Sequence, residues 1–123
     1  MDYWKKYNTS GRIISRIIII KAWFVYTLCI YLIMKFEWDE NKNQSNFTKH
    51  GIYFEEAIEI FKNDCLTWID DRKNYSEVRE ITIGEIKKNI VIVIVHTDRF
   101  GNIRIISARK ANQRERRKYY EYQ

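Results

Sequence analysis

The chain has 123 residues, of which 46% are hydrophobic, 15% aromatic and 31% charged, with a formal net charge of +6; this leaves room for one domain with a modest core and excludes a disordered chain. The absence of proline and the presence of only four glycines exclude a collagen-like or low-complexity segment. Two cysteines, Cys29 and Cys65, and two histidines, His50 and His96, lack metal-ligand spacing, so no disulfide framework, zinc signature or cofactor is indicated and a reducing cytoplasm is the expected compartment.

Residues 1–33 stand apart from the rest. They carry five Lys/Arg and one Asp, and are apolar from Ile17 onward with Lys21 as an interruption. As a helix, Ile17–Met34 would extend about 27 Å, close to the thickness of a bilayer core. Lys5, Lys6, Arg12 and Arg16 upstream would favour an N-terminus kept inside, but Lys21 within the span is costly unless it snorkels. No small-residue cleavage site follows, which argues against a secretory signal. Three readings of this extension stand: an upstream translation start, a membrane-proximal helix, or a buried amphipathic segment. A self-contained pattern begins at Met34, so residues 34–123 are the expected domain.

Within that domain, Lys35–Trp38 offers a short strand. Asp39 can cap a helix over Glu40–His50, and Gly51 can end it in the left-handed conformation. Phe47 is the only large apolar residue of this helix. A second helix over Phe54–Phe61 places Phe54, Ala57, Ile58 and Phe61 on one face at the i, i+3, i+4, i+7 spacing. Four strands follow, over Leu66–Ile69, Val78–Ile83, Ile90–Thr97 and Ile103–Ala108. The β-branched run "NIVIVIVHT" reads as a central strand buried on both faces, and "DRFGN" as a hairpin loop with Gly101 supplying the turn. Asn112 can cap a last helix, with Glu115 completing a box-like arrangement. Strand, two helices, antiparallel strands and a basic helix make an α+β domain.

The charge is unevenly spread along the chain. Residues 34–98 carry nine Lys/Arg and thirteen Asp/Glu, whereas residues 99–123 carry eight Lys/Arg and two Glu. A basic tail on an acidic body points to an acidic partner. Asn46, Lys49 and His50 share one helical face, either as solvated surface or with His50 as a proton-transfer group or phosphate donor. Arg79 falls in register with Ile81 and Ile83, an unusual place for a charge, although near a strand end it can simply reach solvent or pair with an acid. Arg104 and Arg109 flank Ser107, and guanidinium groups on a rigid sheet suit bidentate phosphate binding; edge arginines kept for solubility are the plain alternative. Around "RERRKYY", Arg114, Arg116, Arg117 and Lys118 interleave with Tyr119, Tyr120 and Tyr122, either as a solvated helix face or suiting RNA contact, with the tyrosines alternatively packing onto the sheet.

Four segments in this order, "FEWDENK", "NFTKHGIYFEEA", "REITIG" and "IRIISARKANQRERRKYYE", together resemble the BrnT toxins of bacterial type II toxin–antitoxin systems over nearly all of residues 34–123. Tyr53 departs from the pattern, since a small helix-capping residue is usual there. The resemblance implies a small RelE-like fold, an antiparallel sheet with two N-terminal helices and one C-terminal basic helix. It also implies ribonuclease activity that arrests growth. The implied partners are an RNA substrate and a BrnA-like antitoxin, with operator DNA bound only through the toxin–antitoxin complex. Without a metal cluster, such an endoribonuclease would rely on the 2′-hydroxyl of its substrate. His50 or Lys49 would then assist proton transfer, and Arg79, Arg104 and Arg109 would stabilise the phosphate. Ser107 would hold a phosphate oxygen or position an arginine, and Arg114, Arg116, Arg117, Lys118 and Tyr119 would meet RNA or antitoxin. A non-catalytic RNA- or protein-binding module and a protein anchored to a membrane through residues 1–33 are the rival expectations.

Overall fold

The computed structural model describes residues 5–7, 29 and 31–123. Most of the Ile17–Met34 run, residues 17–28 and 30, therefore lies outside the described residues, and the three readings of it rest there. Among the described residues no helix is long and apolar enough to cross a membrane.

The elements in chain order are β1 (Lys5–Tyr7), β2 (Phe36–Glu37), α1 (Glu40–His50) and α2 (Phe54–Ala57). A 3₁₀ turn (Ile58–Lys62) continues α2, and β3 (Cys65–Ile69), β4 (Glu80–Lys87), β5 (Ile90–Arg99), β6 (Asn102–Lys110) and α3 (Gln113–Glu121) follow. The strands form one sheet in the order β1-β3-β4-β5-β6-β2. The expected α+β architecture holds, with one pair differing from an antiparallel sheet: β2 runs parallel to β6, pairing Phe36 with Ile103 and Glu37 with Arg104. No hairpin links these two strands, so nothing forces the antiparallel sense. β1, which the sequence pattern does not announce, pairs with the outer edge of β3. Strand β4 starts later and ends later than the Val78–Ile83 pattern suggests.

Helix α1 has the expected bounds, and both ends are capped locally. The Asp39 carboxylate accepts from the Lys42 N–H at 3.1 Å, and Gly51 adopts φ 72°. Its packing is polar. The Asn46 side-chain amide donates to the Ala108 carbonyl at 2.8 Å and its oxygen accepts from the Ala108 N–H at 3.1 Å. One side chain thus satisfies the edge of β6 beyond the two residues covered by β2. Asn43, fully buried, accepts from the Phe54 N–H at 2.8 Å and donates to Glu55. That contact caps α2 from a distance, because Tyr53 at the N-cap offers no side-chain hydrogen bond and instead stacks on Phe47 at 4.1 Å. The second helix also tightens after one turn. With three residues per turn, Phe54, Ala57 and Ile60 align and are fully buried, so Ile60 takes the place expected for the half-buried Ile58.

Two cores sit on opposite faces of the sheet. One joins Phe54, Ala57, Ile60 and Phe61 to Ile92, Ile94, Ile105 and Ala108. The other joins Leu66, Ile81, Ile83, Val91 and Val93 to Tyr119 of α3. Between them the Val91–Ile94 stretch of β5 is buried on both faces, as its composition implies. The first core depends on Gly84, where an added Cβ would lie 2.8 Å from the Ile60 Cβ and 3.3 Å from the Cys65 Cβ. Burial also pushes the Cys65 thiol up to about 12. Gly84→Ala is expected to destabilise the fold by about 1–3 kcal/mol through overpacking, outweighing the backbone-entropy gain. Urea unfolding at matched conditions checks this, and a neutral or stabilising result would contradict the close approach.

His96 is buried in the first core, with its Nε2 2.7 Å from Thr82 Oγ1 and its ring edge-on to Phe61. Burial lowers its pKa to about 4. The unfolded chain, with an ordinary histidine near 6.5, takes up a proton that the folded chain refuses. This contribution is therefore complete above about 6.5 and is lost as pH falls towards 4, by up to about 3 kcal/mol. Glu80, paired with His96 in register, is raised by burial and by Asp98, and works in the opposite direction. Unfolding free energies measured across pH 4–7 are expected to fall with acidity, and His96→Gln is expected to flatten that slope.

Candidate functional site

The second face of the sheet carries the sequence-expected arginines, and a bulge is what brings them together. Side chains alternate along a strand, so Arg104 would ordinarily oppose Ser107 and Arg109. In β6, however, Ile105 pairs with His96 and Ser107 with Val95, leaving Ile106 without a partner. That extra residue resets the alternation. Arg104, Ser107 and Arg109 consequently share the face that holds Ile81, Val93 and Val95.

Register orders this face into rows. Asp70, Arg79, Thr97 and Arg104 form the first, with Glu37 beside Arg104. The Asp70 N–H donates to the Arg79 carbonyl at 2.8 Å, and Arg79 lies one residue beyond the paired Glu80 and His96. Trp68, Ile81, Val95 and Ser107 form the second row, and Leu66, Ile83, Val93 and Arg109 the third. Tyr119 of α3 packs against the third row and its hydroxyl donates to the Asp64 carbonyl at 3.1 Å. Helix α3 thereby covers one end of the face.

Arg79 is the most constrained cation of the site. Its guanidinium carbon sits 4.1 Å from the centroid of the Tyr75 ring, a cation–π geometry. Its Nε is the one buried side-chain nitrogen or oxygen among the described residues that has no hydrogen-bond partner. A buried unmet donor is costly, and an oxyanion is the ligand that such a group suits. The loop that presents Tyr75 is folded around Asp70. This buried carboxylate accepts from Arg72 Nε at 2.7 Å, Arg72 Nη2 at 2.8 Å and the Tyr75 hydroxyl at 3.2 Å. The hydrogen bonds from Arg72 hold the Asp70 carboxyl down at about 2.

Arg104 is half-buried, and its side chain has no hydrogen bond or ion pair among the described residues. Arg109 is engaged instead: its two terminal nitrogens bind Glu115 at 2.8 and 2.7 Å. Burial alone would raise the Glu115 carboxyl, but Arg109 and the Asn112 N–H overcome it and leave the pKa lowered. Glu115 at the same time closes the capping box with Asn112 expected from the sequence. Arg109 therefore ties β6 to the start of α3. The Arg72 charge acts on both Arg109 and Glu115, so the β3–β4 loop lies near the start of α3.

Lys49 and His50 are not brought to this row. Both are exposed, one turn or less beyond Asn46, which grips Ala108. Ala108 lies four residues along β6 from Arg104, about 13 Å at strand rise. In the tail, Arg114, Arg116 and Arg117 are exposed and Lys118 is half-buried. Tyr119 takes the packing role rather than a surface one, being 2% exposed with its hydroxyl pKa raised by burial. Tyr120 is exposed and donates to Glu85 at 3.1 Å. Asp70, Arg72, Tyr75 and Thr97 are site residues that periodicity does not single out; only the Asp70–Arg72 spacing hints at a local ion pair. Among the described residues no three His, Cys, Asp or Glu side chains converge as a metal-binding group.

Comparison with known proteins gives this face a context. A family model described as the ribonuclease toxin, BrnT, of type II toxin–antitoxin systems matches residues 38–115. Among solved structures, the 1.1 Å crystal structure of the Brucella abortus ribonuclease toxin BrnT is similar, at 30% sequence identity and a TM-score of 0.50. The match covers 65% of this chain and 99% of that one. No curated protein matches the chain. The Arg79 and Arg104 positions and the Asn112–Glu115 box lie inside the matched span, and the chain belongs to the BrnT family of ribonuclease toxins of type II toxin–antitoxin systems.

Proposed function

We propose that residues 34–123 form a metal-independent endoribonuclease that cleaves RNA through the substrate's own 2′-hydroxyl, with the Arg79–Arg104 row as the phosphate site. The observation that carries this reading is the pairing of a half-buried Arg104 with an Arg79 whose Nε is buried, the Arg104 side chain and that Nε both lacking a hydrogen-bond partner among the described residues. Two fixed guanidinium groups can neutralise the charge that develops on a phosphate as the 2′-oxygen attacks, the contribution usually worth most in such sites. Tyr75 stacking holds the Arg79 plane in place, which limits the reorganisation needed on binding.

Ser107, in the adjoining row, holds a phosphate oxygen in this reading. Lys49 and His50, at the far end of β6, bind flanking RNA, because they lie beyond hydrogen-bond reach of a phosphate in the first row. Arg109 positions α3, whose exposed Arg114, Arg116 and Arg117, with Lys118, meet the RNA backbone. A BrnA-like antitoxin neutralises the toxin by covering this face, and the complex rather than the free toxin binds operator DNA. The compartment is the cytoplasm, where mRNA is accessible to the enzyme.

Arg79→Ala and Arg104→Ala are each expected to slow RNA cleavage by about 10²–10³-fold and to abolish growth arrest, with far-UV circular dichroism unchanged. Full toxicity of both variants at matched expression would remove the phosphate site from this face. Cleavage is also expected to persist in excess EDTA and to leave 2′,3′-cyclic phosphate ends. Loss of activity on chelation, restored by a divalent ion, would overturn the metal-independent reading.

A further inference from the structure

The β5–β6 hairpin closes through a two-residue loop, Phe100–Gly101, between the paired Arg99 and Asn102. Both loop residues have positive φ, 54° at Phe100 and 86° at Gly101, the signature of a type I′ turn. Asparagine, aspartate or glycine is the residue type that accepts such a conformation cheaply. The neighbouring β4–β5 hairpin obeys that rule, with Asn89 at φ 68°. Phe100 does not, because a bulky L residue there is strained.

Among the described residues, no packing of the Phe100 ring offsets the strain. Phe100 is 105% exposed, more than in an extended reference peptide, so its ring contributes no burial. The turn is already held by the Asp98 carboxylate, which accepts from the Gly101 N–H at 2.9 Å. An unfavourable backbone conformation carrying a fully solvated ring is a cost without a structural return, and such residues cluster at working sites. The surroundings indicate the kind of work. The hairpin projects from the sheet end that bears the Arg79–Thr97–Arg104 row, three residues from Thr97 and four from Arg104. Arg99 beside it is about half-exposed, with a single long contact of 3.6 Å to Glu77. A solvated aromatic ring next to cations that suit phosphates is the composition of a single-strand binding surface, in which rings stack on bases while cations follow the backbone.

We propose that Phe100 is a nucleobase-stacking platform, which holds unpaired RNA across the end of the sheet so that a phosphate enters the Arg79–Arg104 row. The inference rests on the RNA-cleaving reading of that row. It makes Phe100 a positioning residue that acts on substrate affinity and register more than on the bond-breaking step. A stacking ring discriminates weakly among bases, so the platform selects for single-stranded character rather than for a sequence.

The test uses the full chain, a cleavable single-stranded RNA, and an uncleavable 2′-O-methyl oligonucleotide carrying 2-aminopurine, whose fluorescence is quenched by stacking. Phe100→Ala and Phe100→Asn are expected to weaken binding of the uncleavable strand about tenfold, to relieve quenching, and to raise KM with kcat little changed. Phe100→Trp is expected to retain binding. Phe100→Asn is also expected to raise the unfolding midpoint, since it relieves the turn; a ring kept for folding would give the opposite sign. Unchanged oligonucleotide affinity and quenching in Phe100→Ala overturn the proposal. Unchanged RNA affinity with a weakened complex with the cognate antitoxin overturns it in favour of a protein-docking anchor. Failure of the wild-type chain to cleave any RNA would count against the enzymatic reading, while the fluorescence arm still decides whether Phe100 stacks on bases.

Discussion

Alternation along a strand allows residues an odd number of positions apart to share a face only where the pairing skips one residue, and in β6 it skips Ile106. Much of the second face depends on that skip. Without it, Arg104 would join Ile105's core on the helix-covered side, or Ser107 and Arg109 would be turned away from Val95 and Val93. Burying an unpaired guanidinium in the apolar core of α2 would be prohibitive. The bulge thus reconciles an apolar helix-facing side, through Ile105 and Ala108, with a cationic opposite side, through Arg104, Ser107 and Arg109. It also aims Arg109 at Glu115, which links the sheet to the C-terminal helix.

Edge accounting explains the other half of the architecture. An open sheet has two edges whose backbone groups need partners. β1 covers β3 on one side. On the other, β2 covers only the start of β6, and the Asn46 amide substitutes for a strand at Ala108. That role accounts for a helix with little apolar surface: α1 docks through Asn43 and Asn46, both buried, and its polar composition is its means of attachment. An alanine at Asn46 would leave a buried N–H and C=O unmet, a cost that a methyl group cannot offset.

Features specified by neighbouring residues were legible in the sequence. The bounds of α1 follow from Asp39 and Gly51, the start of α3 from Asn112 and Glu115, and the central strand from its β-branched run. Features set by tertiary contact were not. The shift of the second helix into a 3₁₀ turn answers to Ile60 closing on Gly84, more than twenty residues away. Tyr75 reaches Arg79 only because a loop folds around Asp70, and no periodic pattern marks it. The arginines of the site were visible as types but not as neighbours, since their shared face depends on a bulge with no sequence signature. Asn46 was visible as a polar residue on the face of Lys49 and His50, yet its partner is a backbone sixty-two positions away.

The packing of Cys65 against the Gly84 seam has a consequence for chemical labelling. Burial holds the Cys65 thiol well above its ordinary pKa, so little of it is thiolate, the form that reacts with alkylating reagents. Its side chain is also buried, which closes it off from reagents. Modification therefore waits for the seam to part, and where reclosing outpaces reaction its rate reports the population of the opened state. In a Cys29→Ser background, which removes the exposed second thiol, labelling of Cys65 by a small electrophile would gauge how far the 3₁₀ turn lifts from the sheet at equilibrium.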